Sequence, residues 1–149
     1  MQTIEKSASP EQTHNLAKEL VKTLQERRSF VIGIEGDLGA GKTVFVRGIV
    51  EALGGDPNEV TSPTFVIMQT YNTEKGIVYH FDWYRLNSPE ELRDFGWMDL
   101  LCQRESFLVI EWADRFKEYL PEDTVWVNIK HQSFEERIVE ISFPGSSIG

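Results

Sequence analysis

The chain carries a single cysteine, Cys102, in 149 residues. An internal disulfide is therefore excluded, and a reducing compartment such as the cytoplasm is the expected location. Long apolar runs are missing as well. None approaches the roughly 20 residues a membrane-spanning helix needs, and MQTIEKSASPEQTHN at the start has no hydrophobic segment of the signal-peptide kind. There is no internal repeat, low-complexity tract or Pro/Gly/Ser linker. Basic residues are scarce beside acidic ones, 15 against 24, for a net charge of −9. The deficit is concentrated in residues 76–149, with 7 basic and 14 acidic side chains, against 8 and 10 in residues 1–75. Such a surface repels phosphate backbones and gains little from counterion release, which argues against tight autonomous binding to DNA or RNA.

What is present suits a packed domain. Hydrophobic residues make up 40% and charged residues 26%, which is ordinary for a globular protein with a real core; residues 1–149 read as one domain ending in a mobile tail over 144–149. Ser9-Pro10-Glu11-Gln12 is a helix start, with a Ser cap and Pro at the first helical position, and Leu16, Leu20, Val21 and Leu24 carry an apolar stripe to about residue 25. The runs at 30–34 and 107–110 are nearly all apolar, as in strands covered on both faces. A helical pattern reaches Leu53 and is closed by Gly54-Gly55-Asp56-Pro57. Further strands are expected at 64–71, 77–81, 125–129 and 138–143, and a second helix start at Ser88-Pro89-Glu90-Glu91. The fold class is α/β, a parallel central sheet extended by antiparallel strands. Cys102 reads as a small buried residue and His14 and His131 as surface positions. The four tryptophans read as mostly core, with Trp97, after Gly96, a candidate for exposure at an interface.

The sharpest chemical signal is Gly36-Asp37-Leu38-Gly39-Ala40-Gly41-Lys42-Thr43, a full GxxxxGK[ST] match between an expected strand and an expected helix. The glycines let successive backbone N–H groups face phosphate oxygens, and the helix N-terminus adds a favourable dipole. Lys42 reaches the β- and γ-phosphates and the Thr43 hydroxyl suits Mg²⁺. A second acidic group is expected at the end of a neighbouring strand, and Glu111 comes directly after the run at 107–110, so it is assigned to Mg²⁺ directly or through water. Thr61-Ser62-Pro63-Thr64-Phe65 sits where a nucleotide-sensing loop would lie, although a plain turn has the same composition. His80 and Asp82 share one side of a strand end. Asp82 is a candidate to orient or deprotonate the attacking water or to join the outer sphere of the metal, although an Asp at a strand end is more often a cap or turn residue; His80 alone reads as a hydrogen-bonded structural histidine.

GDLGAGKT, TSPTF, HFDWYRL at 80–86 and Ile110-Glu111-Trp112, in this order and spacing, resemble the TsaE (YjeE) family, small bacterial P-loop ATPases of the tRNA threonylcarbamoyladenosine (t6A) system. The resemblance covers nearly the whole chain. It implies a P-loop NTPase-like three-layer sandwich and slow ATP hydrolysis to ADP with Mg²⁺. It also implies action beside a TsaD-type transferase and a TsaB-type subunit, with tRNA engaged only through the complex and no membrane or DNA involved. By motif match it makes Lys42 and Thr43 phosphate and Mg²⁺ ligands, Thr64 the γ-phosphate sensor and Asp82 the catalytic carboxylate. It makes Glu111 metal-associated, Trp112, Ser62 and His80 active-site neighbours, and Thr13 a residue near the adenine. No arginine finger stands in the chain's own motifs; partner docking is expected to complete the site, with Arg85 a distant candidate. The acidic stretch 90–123, with 10 acidic and 4 basic residues, is the expected docking face. The alternatives are a small-molecule kinase, which needs an Arg-rich lid where 87–106 holds only Arg93 and Arg104, and a nucleotide-gated binding module. A GTPase lacks support because no NKxD-type segment is present.

Overall fold

The two apolar runs lie side by side in the middle of one sheet. In the computed structural model, which describes residues 2–24, 27, 29–37, 41–61, 67–103 and 106–144, the described residues form seven strands and three α-helices. The strands are β1 (Gln2–Ser7), β2 (Phe30–Gly36), β3 (Met68–Thr73), β4 (Gly76–Asp82), β5 (Ser106–Glu111), β6 (Val125–His131) and β7 (Arg137–Ser142); the helices are α1 (Pro10–Thr23), α2 (Lys42–Ala52) and α3 (Trp97–Cys102). The order β1-β7-β6-β2-β5-β4-β3 puts β2 at the centre. β2 runs parallel to both β5 and β6, and β4 runs parallel to β5. β3, β7 and β1 add to the two edges in antiparallel fashion.

A buried parallel strand needs an apolar cover on each face, and both are present. On one face α1 and α2 enclose Ile32, Ile34, Phe45, Ile49, Val109 and Val127, none with any exposed surface. On the other face α3 and the 3-10 segments Pro89–Phe95 and Ala113–Tyr119 cover Phe81, Trp83, Leu108 and Ile110. Edge-to-face rings tie this second layer together: Trp97 stands 5.2 Å from Phe81 and 5.4 Å from Trp83. Trp97 is therefore core, 2% exposed, and its indole N–H donates to the Tyr119 carbonyl; the default reading of this tryptophan holds and its candidacy for exposure at an interface does not.

The cap of α1 forms from the expected residues. The Ser9 hydroxyl accepts from the Gln12 N–H, and the Gln12 side chain reaches back to the Ala8 N–H. The helix ends at Thr23 with Leu24 as its cap; residue 25 lies outside the described residues, as does most of the expected tail. Ser88-Pro89-Glu90-Glu91 builds its capping box, yet it opens a 3-10 segment that stops at the left-handed Gly96 rather than an α-helix. Of the strand expected over 64–71, β3 covers Met68 onward and runs to Thr73, with Ile67 in a bend; residues 64–66 lie outside the described residues. β1 is a strand beyond those expected: its one large apolar residue, Ile4, is 63% exposed, so an edge strand of this kind has no alternating pattern to read. Cys102 is exposed at the end of α3 instead of buried. His14 is half-buried and pairs with Glu51 at 3.1 Å, joining α1 to α2.

The α1–α2 crossing is close because Gly48 has no side chain. A Cβ there meets the His14 carbonyl oxygen at 2.4 Å and the Ala17 Cβ at 2.7 Å. Gly48→Ala therefore loses stability even though alanine is the better helix former by ~1 kcal/mol. We expect a net loss of about 2 kcal/mol from overpacking, read from the midpoint of urea unfolding.

Candidate nucleotide site

The end of β2 is fastened to β6 before the glycine-rich turn begins. Gly36 has φ +140°, and a Cβ on it would stand 2.0 Å from the Ile129 carbonyl oxygen, so the strands approach this closely only at a glycine. The Asp37 N–H donates to that same carbonyl at 3.2 Å, and the Asp37 carboxylate accepts from the His131 N–H at 3.0 Å. Leu38, Gly39 and Ala40 lie outside the described residues. Gly41 re-enters in the left-handed region, φ +102°, as the N-cap of α2. The first turn of α2 contains no acidic residue, so the positive end of its dipole is not offset from within the helix.

Lys42 opens α2 and folds back over the turn. Its ammonium donates to the carbonyls of Gly36 at 3.1 Å and Asp37 at 2.7 Å, and Nζ lies 4.2 Å from the centre of the Trp112 ring. Burial pushes its pKa below the ordinary lysine value, while the negative charges of Glu111, Asp37, Asp114 and Asp82 oppose that shift. Thr43 occupies the second position of the helix, half-buried.

The acidic side of the site comes from β4 and β5. Parallel register sets Asp82 directly beside Glu111 at the C-terminal ends of the two strands, the edge at which open α/β sheets bind ligands. Asp82 is 8% exposed, and Oδ1 accepts from the Tyr84 N–H at 3.0 Å, capping a short 3-10 turn, Trp83–Arg85. Burial raises its pKa above the ordinary value; the bond from Tyr84 works against this and the neighbouring Glu111 charge adds to it. Glu111 is 5% exposed, with Oε2 2.6 Å from Nε2 of His80.

Trp112, next in the chain, is the one non-glycine residue with positive φ (60°) among the described residues. A left-handed tryptophan costs ~1–2 kcal/mol, and here it turns the chain so that the ring lies against both Lys42 and the Tyr84 ring, whose centre is 5.0 Å away. Arg115 braces the same corner: Nη1 lies 2.8 Å from the Trp83 carbonyl, 2.9 Å from that of Tyr84 and 2.6 Å from that of Leu86.

The structure thus brings Gly36, Asp37, Gly41, Lys42, Asp82, Glu111 and Trp112 to one corner, with His80 directly beneath Glu111. Ser62 and Thr64 lie outside the described residues. Thr13 is 2% exposed; its hydroxyl is engaged by Ser7 Oγ at 2.7 Å, and its methyl faces Gly41. It lines a cavity of about 520 Å³ together with Pro10, Gly41, Val44 and Phe134, the last 93% exposed in the β6–β7 turn. Tyr71, Asp114, Arg115 and Phe134 are additions that the sequence does not single out. Their roles arise from contacts across strands and turns, for which the chain gives no local signal. Arg85, in the short turn after Asp82, is exposed.

A glycine turn leading from a central parallel strand into a helix, with carboxylates at the ends of neighbouring strands, defines a P-loop NTPase-like α/β protein. The crystal structure of YdiB from Bacillus subtilis has the same architecture: TM-score 0.72 and 30% identity, covering 99% of this chain and 88% of that one. The family model for threonylcarbamoyl adenosine biosynthesis protein TsaE matches residues 7–139, and the chain belongs to the TsaE family. Relatives named tRNA threonylcarbamoyladenosine biosynthesis protein TsaE include one from Rickettsia bellii and one from Bacillus subtilis. The one from Rickettsia bellii is 37% identical over 134 residues, 90% of each chain. The one from Bacillus subtilis is 36% identical over 138 residues, 93% of this chain and 82% of its own.

Proposed function

We propose that the protein binds ATP with Mg²⁺ and hydrolyses it slowly in support of threonylcarbamoylation of the adenosine beside the tRNA anticodon, working with TsaD- and TsaB-type partners. The observation that carries this reading is the convergence on one corner of a lysine held over its own glycine turn and two carboxylates in register at adjacent strand ends. Membership of a family whose members are named for t6A biosynthesis supports the pathway. The cytoplasm is the compartment it implies; no helix among the described residues is long and apolar enough to cross a membrane.

Each residue then has a task. Lys42 leaves the Gly36 and Asp37 carbonyls for the β- and γ-phosphates, and the N–H groups around Gly41 receive phosphate oxygens. Thr64 senses the γ-phosphate. The cavity lined by Thr13 and Phe134 takes the nucleoside, with Phe134 offering a face to the base. Among the described residues no three His, Cys, Asp or Glu side chains form a metal cage. Mg²⁺ does not need one, since it is commonly held by one or two protein oxygens plus phosphates; the Thr43 hydroxyl and the Glu111 carboxylate suit it. When bound, Mg²⁺ supplies charge neutralisation on the phosphates. Asp82 orients the attacking water and accepts its proton.

Slow turnover is the consequence of lacking an arginine finger in these motifs, and partner docking on the acidic face over 90–123 supplies what is missing. Within that face Glu91 is unsuitable for a test, because its carboxylate caps the Asn87 and Ser88 N–H groups. Glu90, Asp94 and Asp99 are exposed. Changing these three to their amides is expected to lower partner-stimulated phosphate release severalfold, with release by the isolated protein unchanged.

The central experiment measures phosphate release from ATP alone and with both partners present. Strong stimulation, lost in Lys42→Ala and Asp82→Ala, supports the proposal; phosphorylation of a metabolite with no stimulation would replace it with the kinase reading. That alternative has less support from the fold. The stretch where a kinase lid would lie buries Leu92, Trp97 and Leu100 against the sheet, so it is core packing.

A further inference from the structure

A row of polar side chains crosses the sheet beneath the site. Gln69 and Tyr71 belong to β3, His80 to β4 and Glu111 to β5. Register puts Gln69 opposite His80 and Asp82 opposite Glu111. The Tyr71 hydroxyl donates to the Gln69 side-chain oxygen, the phenolic oxygen lies 2.9 Å from His80 Nδ1, and His80 Nε2 lies 2.6 Å from Glu111 Oε2. Tyr71 is 3% exposed and His80 1%.

Polar groups this deep cost free energy unless every one is satisfied, and phenylalanine with an aliphatic partner would fill the same space without that demand. The arrangement at its inner end does one definite thing. A carboxylate accepts, so Nε2 of His80 points its hydrogen at Glu111 Oε2, while on the other side of the ring Nδ1 is tied to the phenolic oxygen. With Nδ1 anchored the imidazole does not turn over about its Cβ–Cγ axis, and Nε2 stays on Glu111 Oε2. Glu111 Oε1 is then the oxygen His80 does not hold. Burial and the Glu111 charge push the Tyr71 pKa upward, so the phenol keeps its hydrogen.

We infer that Tyr71, two strands away from β5, is a positioning residue that acts through His80 to fix the Glu111 carboxylate in the orientation Mg²⁺ requires. The inference rests on the proposed assignment of Glu111 to the metal. Residues that orient metal ligands in this way typically change metal affinity 10–100-fold when removed.

The test uses the full chain and a fluorescent ADP analogue titrated at increasing Mg²⁺, with the EDTA affinity and the melting temperature as controls. Tyr71→Phe removes one oxygen and keeps the ring. It is expected to raise the Mg²⁺ concentration for half-maximal tightening about tenfold, leaving affinity in EDTA unchanged. Glu111→Gln should shift it at least as far, the double variant no further than Glu111→Gln alone, and His80→Leu as far as Tyr71→Phe. A role in folding alone would instead lower the melting temperature and weaken binding equally with and without Mg²⁺, and that result overturns the inference. A shift in Glu111→Gln but in neither Tyr71→Phe nor His80→Leu also overturns it, while the metal assignment stands. No shift in Glu111→Gln overturns the metal assignment and the inference together.

Discussion

Lys42→Ala is expected to lower both nucleotide affinity and phosphate release by roughly 10²–10³-fold, the usual loss when one charged donor to a transition state is removed. Two effects act in the same direction. The variant loses the ammonium proposed to reach the phosphates, and it leaves the charges of Glu111, Asp37, Asp114 and Asp82, which all act on Lys42 in the folded chain, to repel them instead. Packing changes too, because the lysine side chain lies over Trp112. Lys42→Met separates these contributions: it keeps the stem and removes the charge, so it should melt closer to the parent than Lys42→Ala while binding ATP as poorly. Lys42→Arg should not rescue the site, since a planar guanidinium does not repeat a point charge seated between the Gly36 and Asp37 carbonyls. Calorimetric titration with a non-hydrolysable ATP analogue and a phosphate-release assay read both quantities. Unchanged affinity in Lys42→Met would remove the glycine turn from nucleotide binding.

The parts of this site that are legible in the sequence are those encoded by neighbours in the chain. GDLGAGKT reads as a phosphate-binding turn because Gly36 and Gly41 must stand at fixed offsets from Lys42, and both have positive φ in the structure. Strands β2 and β5 read as buried because covering a strand on both faces leaves no polar positions to alternate. The pairing of Asp82 with Glu111 is less accessible: each ends a strand, but only register makes them neighbours. Of the Gln69–Tyr71–His80 row only His80 is legible, as a hydrogen-bonded histidine; its partners are not, since the row joins two strands to a third through Glu111, and Gln69 and Tyr71 look ordinary in their own segment. Nor does local composition distinguish the 3-10 segment at Pro89–Phe95 from an α-helix. Ser88 and Glu91 specify a helical start, and the left-handed Gly96 ends it after seven residues. The burial of Trp97 shows the same limit, because a glycine before a tryptophan says nothing of the aromatic cluster that α3 turns it into.

Asp82→Asn is expected to remove hydrolysis and stabilise the protein at once. In the proposed role of proton acceptor from water, Asp82 would contribute ~10²–10⁴-fold to the rate, and asparagine cannot take that proton. Asparagine can still accept the Tyr84 N–H, so the next turn keeps its cap. The stability effect comes from protonation. Unfolded, Asp82 ionises near the ordinary value of 3.8; folded, burial and the Glu111 charge make it hold its proton to higher pH. Between those two values the folded chain binds more protons than the unfolded one, so stability falls as pH rises through the window. At neutral pH the parent bears the cost of a buried carboxylate, and Asp82→Asn does not. Its melting temperature should exceed the parent's at pH 7, and the difference should shrink as the pH is lowered toward 3.8, where the folded carboxyl is protonated. Nucleotide affinity should be retained, which separates this variant from Lys42→Ala. A higher melting temperature with hydrolysis intact would relieve Asp82 of any part in proton transfer and leave the nucleotide-gated binding module as the better account. The two results together, stability gained and turnover lost, identify a carboxylate kept at the strand end against its own solvation for the sake of the reaction.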